Sequence, residues 1–207
     1  MQVGGRGLGV HLGGRTLTTA VCGPGGHRDT AVVPAPGLAA LLARVGDPVP
    51  VRTPDGPRSA AELVVERLTG APPDRVVDVI DLGAGLLGWG DPAVADAVTA
   101  LREAEVAVVA SPTYKATYTG LLKLFLDQVG TGDLAGVVAV PLMLGGGPGH
   151  ALAPDLLLKP VLVELGATTP TKGLYLLDRT WDAPGPLQEW LVAAGPQVTA
   201  ARTARRP

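Results

Sequence analysis

Residues 106–150 read VAVVASPTYKATYTGLLKLFLDQVGTGDLAGVVAVPLMLGGGPGH. The continuous apolar runs Val106–Ala110 and Val137–Leu144 predict strands buried on both sides of a parallel sheet. Between them Tyr118, Leu121, Leu122, Phe125, Leu126 and Val129 recur at i, i+3, i+4, i+7, i+8 and i+11. That spacing puts one apolar stripe on a helix, and Gly130 and Gly132 are its expected stop. Each strand runs into a loop: Ser111–Tyr118 (SPTYKATY) after the first, Gly145–His150 (GGGPGH) after the second.

The alternation continues on both sides. Upstream, Val76–Ile80 (VVDVI) predicts a short strand ending at Asp81. Asp91-Pro92 is a helix start, with Asp as N-cap and Pro at the first helical position; Val94, Ala95, Val98 and Leu101 are its expected inner face. Downstream, a helix is expected from about residue 151 to 165, with Pro154 in its first turn and Pro160 kinking or dividing it. Gly173–Leu177 is a last strand and Pro186–Ala194 a short helix. Residues 195–207, with Arg202, Arg205 and Arg206, read as a frayed basic tail. Such alternation predicts an α/β fold, a parallel sheet with helices on both faces.

The first strand of that sheet falls in a stretch of weak pattern. Residues 1–75 carry 22 of the chain's 49 Gly and Pro residues. Leu17–Cys22 is the best strand candidate, Ser59–Leu68 a good helix, and Leu38–Arg44 a helical turn or two. The division that follows is an irregular segment over residues 1–16, a main domain over 17–180, and a helix with a flexible tail over 181–207.

Composition narrows the function. Hydrophobic residues make up 46% of 207, enough for a buried core, and the net charge of −2 carries no basic footprint for nucleic acid. One cysteine, Cys22, excludes an internal disulfide and reads as a small apolar residue. His11, His27 and His150 are far apart in sequence, so no metal site is expected. The uncharged stretch 134–154 holds three prolines and five glycines, which reads as strand and glycine loop rather than as a membrane span. No apolar leader precedes the domain, so a cytoplasmic protein is expected. The two serines, Ser59 and Ser111, lie outside any GxSxG motif, and the carboxylates show no paired arrangement for acid–base work.

Ligands of open parallel sheets bind at the carboxyl ends of the strands. Three loops qualify: Gly23–Thr30 (GPGGHRDT), Ser111–Tyr118 and Gly145–His150. Glycine lets backbone N–H groups approach an anion, and a helix N-terminus favours negative charge. None of the three matches GxGxxG or GxxxxGK[ST]. Tyr114 is expected at a ligand or subunit contact and Tyr118 in packing. Lys115 reads equally well as a ligand contact or a solvated charge, His150 as a helix-start residue, Asp81 and Asp91 as strand end and cap, and Trp89 as a cover for the sheet edge or a neighbouring subunit.

The run ASPTYKATYTGLLKLFLDQV, followed by the Gly-Gly loop ending in Gly149-His150 and by Leu158-Lys159-Pro160-Val161-Leu162, resembles the NADPH-dependent FMN reductase family, nearest its sulfonate-utilisation members. The resemblance covers roughly residues 76–178. It implies a flavodoxin-like doubly wound sheet in three layers with strand order 2-1-3-4-5. It also implies FMN bound across the strand ends and reduced by NAD(P)H. Pro112, Thr113, Tyr114 and Lys115 would line the isoalloxazine ring, with Ser111 beside them among the cofactor-binding residues and Gly145, Gly146 and Gly147 at the ring's other edge through backbone N–H groups. The family's phosphate loop follows the first strand. Here Gly23–Thr30, with Arg28 and Thr30, is the preferred counterpart although it lacks the family's serine; Gly9–Thr16 and Pro54–Ser59 are the other candidates. Catalysis needs no acid–base side chain, because the cofactor carries the hydride step. The resemblance further implies a homodimer or homotetramer formed through the helix after the SPTY loop, and reduced flavin passed to a monooxygenase. Two other readings stay open: an FMN-holding quinone or azo-compound reductase, and a non-enzymatic protein, either an FMN-binding electron carrier or a degenerate relative that no longer binds flavin. The flavin-binding readings require Thr113 and Gly146 to share one crevice.

Overall fold

The computed structural model describes residues 9–12, 15–18, 21–22, 28–29, 32–34 and 56–205. Two compact units divide the chain at residues 47 and 48.

In the N-terminal unit the described residues form five short strands. β1 (Gly9–Leu12) pairs antiparallel with β2 (Arg15–Thr18) and parallel with β5 (Val32–Pro34), while β3 (Val21–Cys22) and β4 (Arg28–Asp29) form a separate antiparallel pair. Leu17–Cys22 is therefore not one strand of a parallel sheet: Leu17 and Thr18 belong to one ladder, Val21 and Cys22 to another. The helical turns expected over Leu38–Arg44 lie outside the described residues.

The second unit opens with α1 (Gly56–Thr69), then a 3-10 segment (Val79–Leu87), then α2 (Pro92–Glu103). Asp91 caps α2 as expected, its carboxylate accepting from the amides of Ala93 and Val94. The inner face of α2 is Val94, Ala97 and Val98, with Ala95 exposed. β6 (Val106–Pro112), β7 (Val138–Gly145) and β8 (Leu174–Leu177) form a wholly parallel sheet in the order β6-β7-β8. Val76–Ile80 is not a strand. Asp78 accepts from the amide of Ile80 and caps the 3-10 segment, which kinks at Gly83 with φ 51°. A strand needs a neighbour to satisfy its backbone, and among the described residues β6 pairs only with β7.

β7 is central and buried along its whole length, as its sequence requires, whereas β6 alternates between buried and half-buried positions. Leu142 and Leu144 pack with Leu174 and Leu176 against Ala60 and Val64 of α1. Ala139 and Met143 point to the opposite face and are equally buried, so β7 is covered on both sides.

α3 (Gly120–Leu126) is shorter than its stripe predicts. Thr119 caps it by accepting from the amide of Leu122, which leaves Tyr118 in the loop, and Asp127 ends it before Val129. The next helix is divided as Pro160 requires. A π-turn over Pro154–Leu158 has the Lys159 amide bonded to the Pro154 carbonyl, and α4 (Lys159–Glu164) follows. The last helix, α5 (Pro186–Arg205), runs through the stretch read as a tail. Val198 is fully buried against Val138 and Val140, and Arg202 donates to Glu105 at 2.9 Å. These long-range contacts hold a segment whose local sequence is polar and proline-containing.

Candidate functional site

β6 and β7 are in register from Val106↔Val138 to Pro112↔Leu144. Their carboxyl ends therefore stop side by side, and the two loops that follow start as neighbours. The Thr113 amide donates to the Leu144 carbonyl at 2.6 Å, and Thr113 Cβ lies 3.3 Å from where a Cβ on Gly145 would stand. Thr113 and the glycine loop share one rim.

The first loop is tied down at both ends. Ser111 is 1% exposed. Its hydroxyl accepts from the Thr119 amide at 3.0 Å and donates to the Pro112 carbonyl at 2.8 Å. Tyr114 and Thr117 exchange backbone hydrogen bonds at 2.9 and 3.1 Å. The two residues between them, Lys115 and Ala116, have φ 50° and 69°. Two consecutive positive φ values mark a type I′ turn, which prefers Asn and Gly. Non-glycine residues held there store strain, a feature concentrated at ligand clamps. Lys115 is exposed, while Thr113 and Tyr114 are half-buried.

The second loop is shaped by β8. Tyr175 lies opposite Met143 in the ladder and sends its hydroxyl across the rim to donate to the Gly147 carbonyl at 2.8 Å. A Cβ on Gly145 would collide with that hydroxyl, so Gly145 is glycine to admit the phenol. Gly146 is exposed and Gly147 half-buried. A 3-10 turn over Pro148–His150 follows, with His150 exposed at the start of the next helical segment.

Two buried polar atoms at this rim have no hydrogen-bond partner: Thr113 Oγ1 and Asp178 Oδ1. Burial raises the pKa of the Tyr175 phenol; the Thr113 hydroxyl beside it opposes the shift, and the Asp178 charge adds to it. The rim thus holds strained backbone, glycine amides and unpaired buried polar atoms together, the composition of a site for a polar ligand.

Of the residues expected to bind, Ser111 and Pro112 end β6, Gly145 ends β7, and Thr113, Tyr114, Lys115, Gly146 and Gly147 stand on the two adjoining loops. Arg28 is in β4 of the N-terminal unit, and Thr30 lies outside the described residues. Tyr175 and Asp178 were not anticipated. Their signal was available: they follow the same carboxyl-end logic at the third strand, and Tyr175 is one of only three tyrosines. Among the described residues, no group of His, Cys, Asp and Glu could hold a metal ion. Trp89, expected to cover the sheet edge or a neighbouring subunit, is 79% exposed and so does not cover the sheet edge of its own chain.

A parallel α/β sheet with its polar loops gathered at the carboxyl rim defines a ligand-binding α/β domain. Residues 57–182 match the family described as NADPH-dependent FMN reductase, and the chain belongs to it. It is 41% identical over 90 residues to the FMN reductase (NADPH) of Escherichia coli (strain K12), a match covering 44% of this chain and 47% of that protein. It is 39% identical over 83 residues to the NADH-dependent FMN reductase SfnF of Pseudomonas putida, covering 40% and 45%. The chain spans about half the length of such curated relatives. Among solved structures it is similar to an NADH:FMN oxidoreductase (EMOB) in its apo form, at TM-score 0.59 and 30% identity over 72% of this chain and 81% of that one. It is also similar to an oxidoreductase from Corynebacterium diphtheriae, at TM-score 0.53 and 25% identity over 73% and 84%.

Proposed function

We propose that the chain reduces FMN with NAD(P)H. The observation that carries this is the junction of the two loops, with Thr113 bonded to Leu144 and packed on Gly145. In a family of FMN reductases, such a rim offers a flat heterocycle both an edge and a face. Thr113, Tyr114 and Lys115 would lie along the ring. Gly146 and Gly147 would present amides to its polar edge, and the unpaired Thr113 hydroxyl would gain a partner. Ser111, whose hydrogen bonds stay within its own loop, serves by holding that loop in place.

When bound, the flavin supplies the redox chemistry by accepting a hydride from the reduced nicotinamide. The chain's residues have the simpler work of holding two rings in contact and excluding water. Nothing in that work asks for an acid or a base, and the rim carboxylate is buried. β6, β7 and β8 are read as the last three strands of the order 2-1-3-4-5.

A cytoplasmic homodimer or homotetramer that hands reduced flavin to a monooxygenase completes the proposal. Leu152, Leu156 and Val163, at 56%, 65% and 52% exposure, support a self-contact. They belong to the segment that, with α3, borders a groove of about 460 Å³. Among the described residues no helix is long and apolar enough to cross a membrane. The test is NADPH oxidation followed by absorbance with and without added FMN. Flavin-dependent loss of absorbance is expected; its absence with both NADPH and NADH removes the enzymatic reading.

A further inference from the structure

Asp178 is the first residue past the carboxyl end of β8. Its amide donates to the Gly145 carbonyl at 3.1 Å, which stitches it to the start of the glycine loop. Its side chain is buried, with the residue 7% exposed. Oδ2 lies 3.8 Å from the position of a Cβ on Gly146, and Oδ1 has no hydrogen-bond partner. The ion pairs of the described residues do not include it. A buried carboxylate oxygen without a partner is costly to keep.

We propose that Asp178 sets the relative affinity of the site for oxidised and reduced flavin, its buried negative charge disfavouring the more negative reduced ring. This rests on the reading of the glycine loop as a flavin contact. Two-electron reduction to the anionic form adds one negative charge to the ring. A fixed anion beside the loop discriminates between two ligands that differ by that charge. It acts through its field, so the ring need not touch it. Reduced flavin is then the more weakly held form, as a reductase that passes it on requires. Binding and reduction are linked, so the same discrimination appears as a lowered reduction potential of bound flavin; tenfold in the affinity ratio is about 30 mV for a two-electron couple.

The test uses the full chain under anaerobic conditions. Dissociation constants for oxidised FMN, by fluorescence quenching, and for reduced FMN, by titration, are measured for wild type, Asp178→Asn and Asp178→Glu. Wild type is expected to bind reduced FMN more weakly than oxidised FMN. Asp178→Asn is expected to shrink that ratio about tenfold and to raise the potential of bound flavin by about 30 mV; Asp178→Glu, which keeps the charge, should retain most of the ratio. Equal or tighter binding of reduced FMN by wild type overturns the inference, as does a folded Asp178→Asn chain with the wild-type ratio. If Asp178→Asn does not fold, Asp178→Ser, which also removes the charge, takes its place with the same expected and overturning results. Absence of FMN binding in either state overturns the flavin reading and this inference with it; binding with an unchanged ratio overturns this inference only.

Discussion

Single side chains at the rim have separable jobs. Gly145 exists to make room for the Tyr175 hydroxyl. Gly145→Ala overpacks that contact and should destabilise by about 1–3 kcal/mol, read as a lower urea midpoint. Adding Tyr175→Phe should return most of the loss, because the colliding atom is gone; a double variant no better than the single one would contradict the assignment. Ser111→Ala leaves the buried Thr119 amide without its acceptor and should cost about 1–3 kcal/mol. Tyr175 also sets a pH dependence. Its folded pKa is raised, chiefly by burial, so the stability it contributes is complete below the pKa of about 10 for free tyrosine. That contribution is lost as pH climbs from there through the raised folded value. Tyr175→Phe should flatten the alkaline side of the stability profile; an unchanged slope would refute this origin.

Among the elements, the outcome depended on whether the decisive forces are local. β7, α1 and the Asp91 cap were legible, because an unbroken apolar run, an amphipathic decamer and an Asp-Pro pair act over a few residues. The rim was legible for the same reason: SPTY and GGG follow strands that were themselves readable. Val76–Ile80 was misread because strand propensity means little without a pairing partner, and Asp78 offers the backbone a local cap instead. The end of α5 was misread in the opposite direction, since Val198 and Arg202 are held by β7 and by Glu105, more than 50 residues away in sequence. A chain ending at Gly195 should therefore lose stability, and Val198→Ala alone about 1–3 kcal/mol; a thermal midpoint unmoved by either would restore the tail reading. The turn at Lys115 and Ala116 is strained for its residues. Replacing the pair by Asn-Gly should raise the thermal midpoint while lowering FMN affinity, if the strained turn is part of the grip.

At the scale of the whole molecule, the residues that match the family start at 57, immediately inside α1. The three-strand sheet, α2 to α4 and both rim loops lie in that matched part, and α5 follows it. The N-terminal unit pairs its own short strands with one another. If the rim of the second unit grips FMN, a titration of the full chain with FMN, followed by flavin fluorescence, should show saturable quenching at one FMN per chain, weakened by Gly146→Val and by Thr113→Val. Fluorescence that stays proportional to added FMN, or saturation indifferent to both substitutions, would contradict that grip.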